Sequence, residues 1–241
     1  MSTILLDNFY WSDIDVNNDN QLDELCTFLS DHYVEDNTGT LRFHYSKNTL
    51  LWMLKQTNYK WCVGVRYKNK LCGFISAIPL RTNYGMTAFV NFLCVHKNVR
   101  TKRLASVLIK EITHRIHTQN ITMAIYTGTK LKGEIALTTY WQRYLNPKKL
   151  LQHHMIHLPN HMTLSRMVKL YDIKNTRINA RKFMPYDVPQ ICILLNDYLE
   201  KNTALYCIWN EENILHWFSS PNNTFVIEEN NHIVAFSPII V

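Results

Sequence analysis

Glycine is scarce, six in 241 residues, and none falls into the Gly-x-x-x-x-Gly-Lys-Ser/Thr spacing of a nucleoside triphosphate loop or the Gly-x-Gly-x-x-Gly of a dinucleotide fold. Those two ways of holding a phosphate are excluded. The six cysteines, Cys26, Cys62, Cys72, Cys94, Cys192 and Cys207, are scattered without a Cys-x-x-Cys pair, so they read as reduced core residues rather than as a zinc ribbon or a disulfide framework. No apolar run is long enough to span a bilayer: the longest, Leu71 to Leu80, falls well short of the roughly 20 residues required. The N-terminus, Met1-Ser2-Thr3-Ile4, has no basic region followed by an apolar one, so no secretory signal is read. A cytoplasmic protein without a stable membrane anchor is expected.

Charge is present but thinly spread. Lysine and arginine total 26 against 19 acidic residues, a net charge of +7, and only Lys97 to Arg103 concentrates the basic side chains. A nucleic-acid binder would show a second basic stripe, so no nucleic-acid partner is expected. A composition that is 46% hydrophobic supports a packed globular core.

The most informative stretch runs from Phe89 to Ile116. An apolar strand, Phe89-Val90-Asn91-Phe92-Leu93-Cys94-Val95, leads into His96-Lys97-Asn98-Val99-Arg100-Thr101-Lys102-Arg103. Leu104, Val107, Leu108, Ile112 and Ile116 then recur at helical spacing. The basic loop therefore lies at a helix N-terminus, where unpaired N–H groups and the helix dipole favour an anion, and Arg100, Lys102 and Arg103 add full charges. The pattern predicts a phosphate cradle for a polyanionic ligand.

Along the rest of the chain, helices are expected at Gln21 to Tyr33 and Asn48 to Leu54. A strand pair is expected at Trp61 to Tyr67 and Leu71 to Ile78, and further strands at Thr87 to Val95 and Met123 to Thr127. Tyr140 to Leu145 reads as a helical turn ended by Asn146-Pro147. From Arg181 the order begins again, with helices at Val188 to Leu199 and Glu211 to Phe218 and a strand pair at Thr224 to Glu229 and His232 to Ile240. Thr49 to Leu54 echoes Asn213 to Phe218, and Val63 to Leu71 echoes Val226 to Val234. The fold class expected is mixed α/β (α+β), with one repeat complete at 1–178 and a second, partial, at 179–241.

The wording is more specific than the pattern. Asn91-Phe92-Leu93-Cys94-Val95-His96-Lys97 followed by Arg100-Thr101-Lys102-Arg103-Leu104-Ala105 closely resembles the signature of the glycylpeptide N-tetradecanoyltransferases, the N-myristoyltransferases. Tyr33-Val34-Glu35-Asp36, Leu41-Arg42-Phe43, Gly73 to Pro79, Tyr126-Thr127, Tyr140-Trp141 and Leu145 to Leu150 read like their counterparts there, and the resemblance covers about Phe9 to about Ala235. It implies an acyl-CoA N-acyltransferase fold and transfer of a tetradecanoyl group from myristoyl-CoA, a co-substrate and not a resident cofactor, to proteins with an N-terminal glycine. The chain itself starts Met-Ser and so is not read as an acceptor. The family would continue beyond Phe236, so a C-terminally truncated member is expected. The alternative is a catalytically impaired acyl-CoA-binding remnant lacking the terminal carboxylate that serves the family as general base.

Residue by residue, the resemblance implies that backbone N–H groups of Phe92 and Leu93 hold the thioester oxygen, which suits a strand released from its ladder at a bulge. Thr127 would orient the glycine amine. Leu93, Cys94 and Val95 would line the CoA arm, and Arg100, Thr101, Lys102, Arg103, Leu104 and Ala105 its phosphates. Tyr33, Glu35, Asp36, Phe43 and Tyr140 would receive the acceptor peptide. His153, His154, His157 and His161 include i, i+4 spacings, but Pro159 interrupts them and no glutamate base lies between. No metal is expected.

Overall fold

A computed structural model describes residues 5, 8–35, 42–55, 59–128, 143–173, 179–219 and 223–239. The apolar runs pair into a sheet of five strands, β1 (Phe9–Asp13), β2 (Cys62–Tyr67), β3 (Lys70–Thr82), β4 (Gly85–Val95) and β5 (Met123–Ile125), in that spatial order. The first three pairings are antiparallel, whereas β5 runs parallel to β4 and pairs only at Thr87, Ala88 and Phe89. Beyond Phe89 the two strands part.

Successive side chains of a strand point to opposite faces, and this sheet buries both. On one face Cys62, Phe74, Phe92 and Cys94 pack with Leu22, Leu25 and Leu29 of helix α1 (Asp19–His32) and Leu50 and Leu54 of α2 (Lys47–Leu54). On the other, Val63, Val65, Ile75 and Ala77 pack with Leu104, Leu108, Ile112 and Ile116 of α3 (Leu104–His117), the helical stripe read from sequence. Gly73 sets how closely α3 approaches: a Cβ there would lie 3.0 Å from Leu108 Cδ1 and 3.2 Å from Leu104 Cδ2. The first turn of α3 thus rests on bare backbone. At its other end Arg115 donates to the Asp13 carboxylate on β1, to the Lys60 carbonyl ahead of β2 at 2.7 Å, and to Glu111 on its own helix at 2.9 Å. Glu111 is 4% exposed.

By internal contacts the chain divides into a unit of residues 1–130 with 182–241 and a smaller one of 131–181. Within the smaller unit α4 (Pro147–Gln152) and α5 (Leu164–Tyr171) are helical, and Tyr144 packs on Tyr171 at 4.9 Å between ring centroids. The helical turn expected from Tyr140 to Leu145 is not present at 143–145, residues 140–142 lie outside the described ones, and Asn146-Pro147 starts a helix. The Asn146 side chain accepts from the Lys149 N–H at 3.0 Å, and proline occupies the first turn, where its missing N–H costs nothing.

The larger unit also holds α6 (Val188–Asn202), α7 (Glu211–Phe218), β7 (Asn223–Glu229) and β8 (His232–Ile239), together with the last residue of β6 (Ala180–Lys182), whose first two residues fall in the smaller unit. The three strands form a second sheet in the order β6-β7-β8, packed through Val226 and Ile233 on Val188, Ile191, Ile214 and Phe218. Details recur between the two sheets and the helices ahead of their hairpins. Both β2–β3 and β7–β8 turn through two residues at positive φ, Lys68-Asn69 at 47° and 63° and Asn230-Asn231 at 51° and 64°. Such turns match the twist of a hairpin. Both hairpins also shift register just before the turn, at Val65/Arg66 and at Ile227/Glu228. Aligning the turns moves the correspondence read from sequence by one residue, since Lys68-Asn69 matches Asn230-Asn231. Likewise α2 and α7 each follow a capping side chain, Ser46 or Asn210, that accepts from the third helical N–H. The sixth residue after each cap is Trp52 or His216, and these two bond each other. Trp52 Nε1 donates to the His216 carbonyl at 3.1 Å, and His216 Nε2 pairs with the Trp52 carbonyl at 3.0 Å.

Candidate active site

Phe92 breaks the regularity of β4. Cys94 lies opposite Phe74 and Asn91 opposite Ser76, so three steps on β4 match two on β3, and neither Phe92 nor Leu93 has a partner in the register. Phe92 has φ 54° although it is not glycine, and its ring is 1% exposed. Such a backbone is costly and persists only where surroundings over-determine it. Here the buried ring supplies that constraint, meeting Tyr45 edge-on at 5.2 Å and Tyr33 at 5.8 Å between centroids. Asn91 supplies the rest: its Oδ1 accepts from the Phe92 N–H at 2.8 Å, while its carbonyl accepts from the buried Ser76 hydroxyl at 3.2 Å.

The parting of β4 from β5 opens a cavity of about 710 Å³ beside this bulge. Its walls are mostly apolar, from Val90, Phe92 and Leu93 on β4, Ile109, Ile112 and Ile116 on α3, and Met123 and Tyr126 at and beyond β5; Tyr33 and Thr127 also line it. At the far end of β4, Lys97–Lys102 forms a 3-10 turn, and Arg103 at φ 57° in the left-handed region joins it to α3. No side chain caps the α3 N-terminus. Leu104 is buried, Thr101, Lys102 and Arg103 are exposed, and Lys102 and Arg103 make no side-chain hydrogen bond or ion pair among the described residues. An uncapped helix start with exposed cations beside it favours an anion.

Other expected site residues are placed differently. Arg100 turns its guanidinium to the carbonyls of Val95, at 3.3 Å, and His32, at 2.8 Å. Glu35 is already flanked by cations, with Lys97 at 2.8 Å and Arg42 at 3.0 Å; the hydrogen bond from Lys97 is the main cause holding its carboxyl below the usual range. Phe43 is 60% exposed and stacks on Tyr45 at 6.3 Å. Asp36 and Tyr140 lie outside the described residues. Asn91 and Ser76, which shape the bulge, carry no role of their own in the sequence reading; a short amide side chain is the available signal, since Asn readily bonds its own following N–H.

Burial also sorts the ionisable groups. The Tyr33 phenol is pushed up to about 12, chiefly by burial, with Tyr45 and Cys94 adding to it and a backbone hydrogen bond at Phe92 opposing it. The Cys94 thiol, 3% exposed, is likewise pushed up to about 12 by burial. A thiolate is the nucleophilic form, so Cys94 serves as a core side chain. Replacing Cys94 by Ala or Val is expected to leave any transferase activity within about tenfold, because one small buried group is lost and no reacting one. A hydroxylamine-sensitive acyl adduct on Cys94, sought by mass spectrometry, would contradict this.

Strands that part beside a bulge, with a basic turn leading into a helix over the opening, define the acyl-CoA N-acyltransferase class of fold. The structure of a GCN5-related N-acetyltransferase from Kribbella flavida superposes with a TM-score of 0.52 at 12% identity, over 91% of this chain and 52% of that one, a likeness of fold alone. Residues 1–137 match the N-terminal domain of myristoyl-CoA:protein N-myristoyltransferase and residues 153–237 match its C-terminal domain, and the chain belongs to that family. Relatives include the glycylpeptide N-tetradecanoyltransferase of Plasmodium falciparum, 42% identical over 93% of this chain and 58% of that protein. Glycylpeptide N-tetradecanoyltransferase 1 of Arabidopsis thaliana is 41% identical over 87% of this chain and 50% of its own length. The Saccharomyces cerevisiae N-myristoyltransferase, solved with bound myristoyl-CoA, superposes with a TM-score of 0.85 at 34% identity, covering 99% of this chain and 58% of that one. The chain thus spans about half the length of the curated relatives it matches. Among the described residues no helix is long and apolar enough to cross a membrane.

Proposed function

We propose that this chain transfers the tetradecanoyl group of myristoyl-CoA to the α-amine of an N-terminal glycine. The observation that supports this best is the bulge, which leaves Phe92 and Leu93 without ladder partners beside an apolar cavity. The neutral amine attacks the thioester carbonyl carbon, the tetrahedral oxyanion is held by the N–H groups of Phe92 and Leu93, and collapse breaks the C–S bond, the proton lost by the amine nitrogen ending on the sulfur so that CoA leaves as its thiol. Donors fixed where charge develops lower the barrier because they need no reorganisation at the moment of reaction. Asn91 holds the Phe92 N–H in readiness, and its side chain must yield as the oxyanion forms.

The acyl chain would occupy the space between β4 and α3, with Leu93, Cys94 and Val95 along the CoA arm. Its phosphates would meet Thr101, Lys102, Arg103 and the N–H groups of Leu104 and Ala105. The acceptor would approach past Tyr33, Glu35, Asp36, Phe43 and Tyr140, its amine oriented by Thr127. An α-amine with its usual pKa near 8 is already about a tenth neutral at pH 7. The repeats at 1–178 and 179–241 are part of the same reading, supported by the recurring caps and hairpins. Six cysteines without a disulfide suit a reducing compartment, and we place the reaction in the cytoplasm.

Incubation of the purified chain with myristoyl-CoA and a glycine-initiated peptide is expected to add one tetradecanoyl group to the glycine amine, stable to hydroxylamine, while an otherwise identical alanine-initiated peptide stays unmodified. Tight acyl-CoA binding with no transfer would instead establish an acyl-CoA-holding protein.

A further inference from the structure

Four cations crowd the turn between β4 and α3, and the structure divides them into two pairs. A 3-10 helix advances three residues per turn, so side chains three apart eclipse. Lys97 and Arg100 stand in one such row, and both reach toward the end of α1, Lys97 to the Glu35 carboxylate at 2.8 Å and Arg100 to the His32 carbonyl at 2.8 Å. Arg103 would be third in the row, but its left-handed backbone at φ 57° ends the turn. Lys102 and Arg103 keep their charges exposed.

The last carbonyls of a helix lack partners within it. At α1 the Asp31 carbonyl accepts from Arg42 Nη1 at 3.2 Å and the His32 carbonyl from Arg100 Nη2. The same guanidinium spans back through Nε to the Val95 carbonyl, the last residue of β4. A planar fork can hold two carbonyls on different elements in one geometry, whereas an ammonium on a flexible stem cannot fix both. Packing along the same seam adds to this, with the rings of His32 and His96 4.0 Å apart and His96 Nδ1 accepting from the Asn98 N–H.

We propose that Arg100 is a positioning residue and not a phosphate ligand: it locks the cradle turn onto the ends of β4 and α1, and the phosphates are met by Lys102, Arg103 and the N–H groups that open α3. This rests on the reading of that turn as a CoA cradle. It also connects the two sides of the reaction, because the helix end that Arg100 caps leads directly into Tyr33 and Glu35. A ligand and a brace differ in what their loss does to ionic strength dependence. Removing a charge that meets phosphate flattens the fall of affinity with salt, while loosening a brace lowers affinity at every salt concentration alike.

Titration calorimetry with CoA and with 3′-dephospho-CoA, from low to high salt, separates these. Arg100→Lys keeps the charge and loses the fork. It is expected to weaken both ligands by the same factor, about five- to tenfold, with the salt slope of the unsubstituted chain, and to speed hydrogen exchange across residues 97–103. Lys102→Gln is expected to flatten the slope. Unchanged affinity in Arg100→Lys, or in Arg100→Gln a slope flattened as in Lys102→Gln, would overturn the assignment of Arg100 alone. Failure of the unsubstituted chain to bind CoA would overturn the cradle and this assignment together.

Discussion

Replacing the backbone amide of Leu93 by an ester, through incorporation of the corresponding α-hydroxy acid, is expected to lower turnover about 10²- to 10³-fold and to leave acyl-CoA affinity within a few-fold. The change deletes one N–H and leaves every side chain in place, at the cost of a weaker acceptor at the Phe92 carbonyl. Leu93 has no register partner on β3 and is 38% exposed, so neither the sheet nor the core depends on that donor. Single-turnover transfer to a glycine peptide reads the effect, with calorimetric acyl-CoA affinity as the control. Turnover equal to that of the all-amide chain would remove Leu93 from the oxyanion site. The equivalent change at Phe92 is less clean, because that N–H also fixes the Asn91 side chain.

The largest expected effect on stability lies at Arg115. Its side chain is 19% exposed and ties β1, the entry to β2 and α3 together through Asp13, the Lys60 carbonyl and Glu111. Arg115→Met keeps much of the stem volume and removes the guanidinium, withdrawing it from two carboxylates that folding has partly desolvated. Breaking such an ion pair from one side is expected to cost about 3 kcal/mol, read as a lowered urea midpoint at unchanged m. Glu111→Gln should cost less, since an amide still accepts a hydrogen bond. A loss below about 1 kcal/mol in Arg115→Met would mean the network behaves as an exposed surface pair. Because Ile109, Ile112 and Ile116 of the same helix line the cavity, a loosened α3 should also weaken acyl-CoA binding.

Local chemistry made part of this legible beforehand. Helical spacing from Leu104 to Ile116 and the basic residues before it define the cradle without any long-range information, and the apolar runs at β2, β3 and β4 announce themselves by composition. Edge strand β1 did not, because Phe9–Asp13 becomes a strand only by pairing with a distant β2, Phe9 against Tyr67 and Asp13 against Val63. The cavity was equally hidden: nothing in Met123 to Thr127 says that pairing with β4 ends after three residues. Charge contacts were hidden for the same reason. Only the return of α1 beside the end of β4 reveals that Glu35 pairs with Lys97 and Arg42 and that Arg100 bonds the carbonyls of His32 and Val95. Asn146-Pro147 shows the ambiguity of punctuation, since a dipeptide that reads as a stop opens α4.

Trp52 and His216 hold each other from equivalent positions on α2 and α7. A contact in which one position meets its own counterpart is the arrangement of a twofold dimer, where each subunit offers the same patch to the other. Here both patches belong to a single polypeptide. Their association is therefore unimolecular, governed by an effective concentration that the intervening chain sets and not by how much protein the cell contains. Dilution, which dissolves ordinary dimers, cannot separate these two helices.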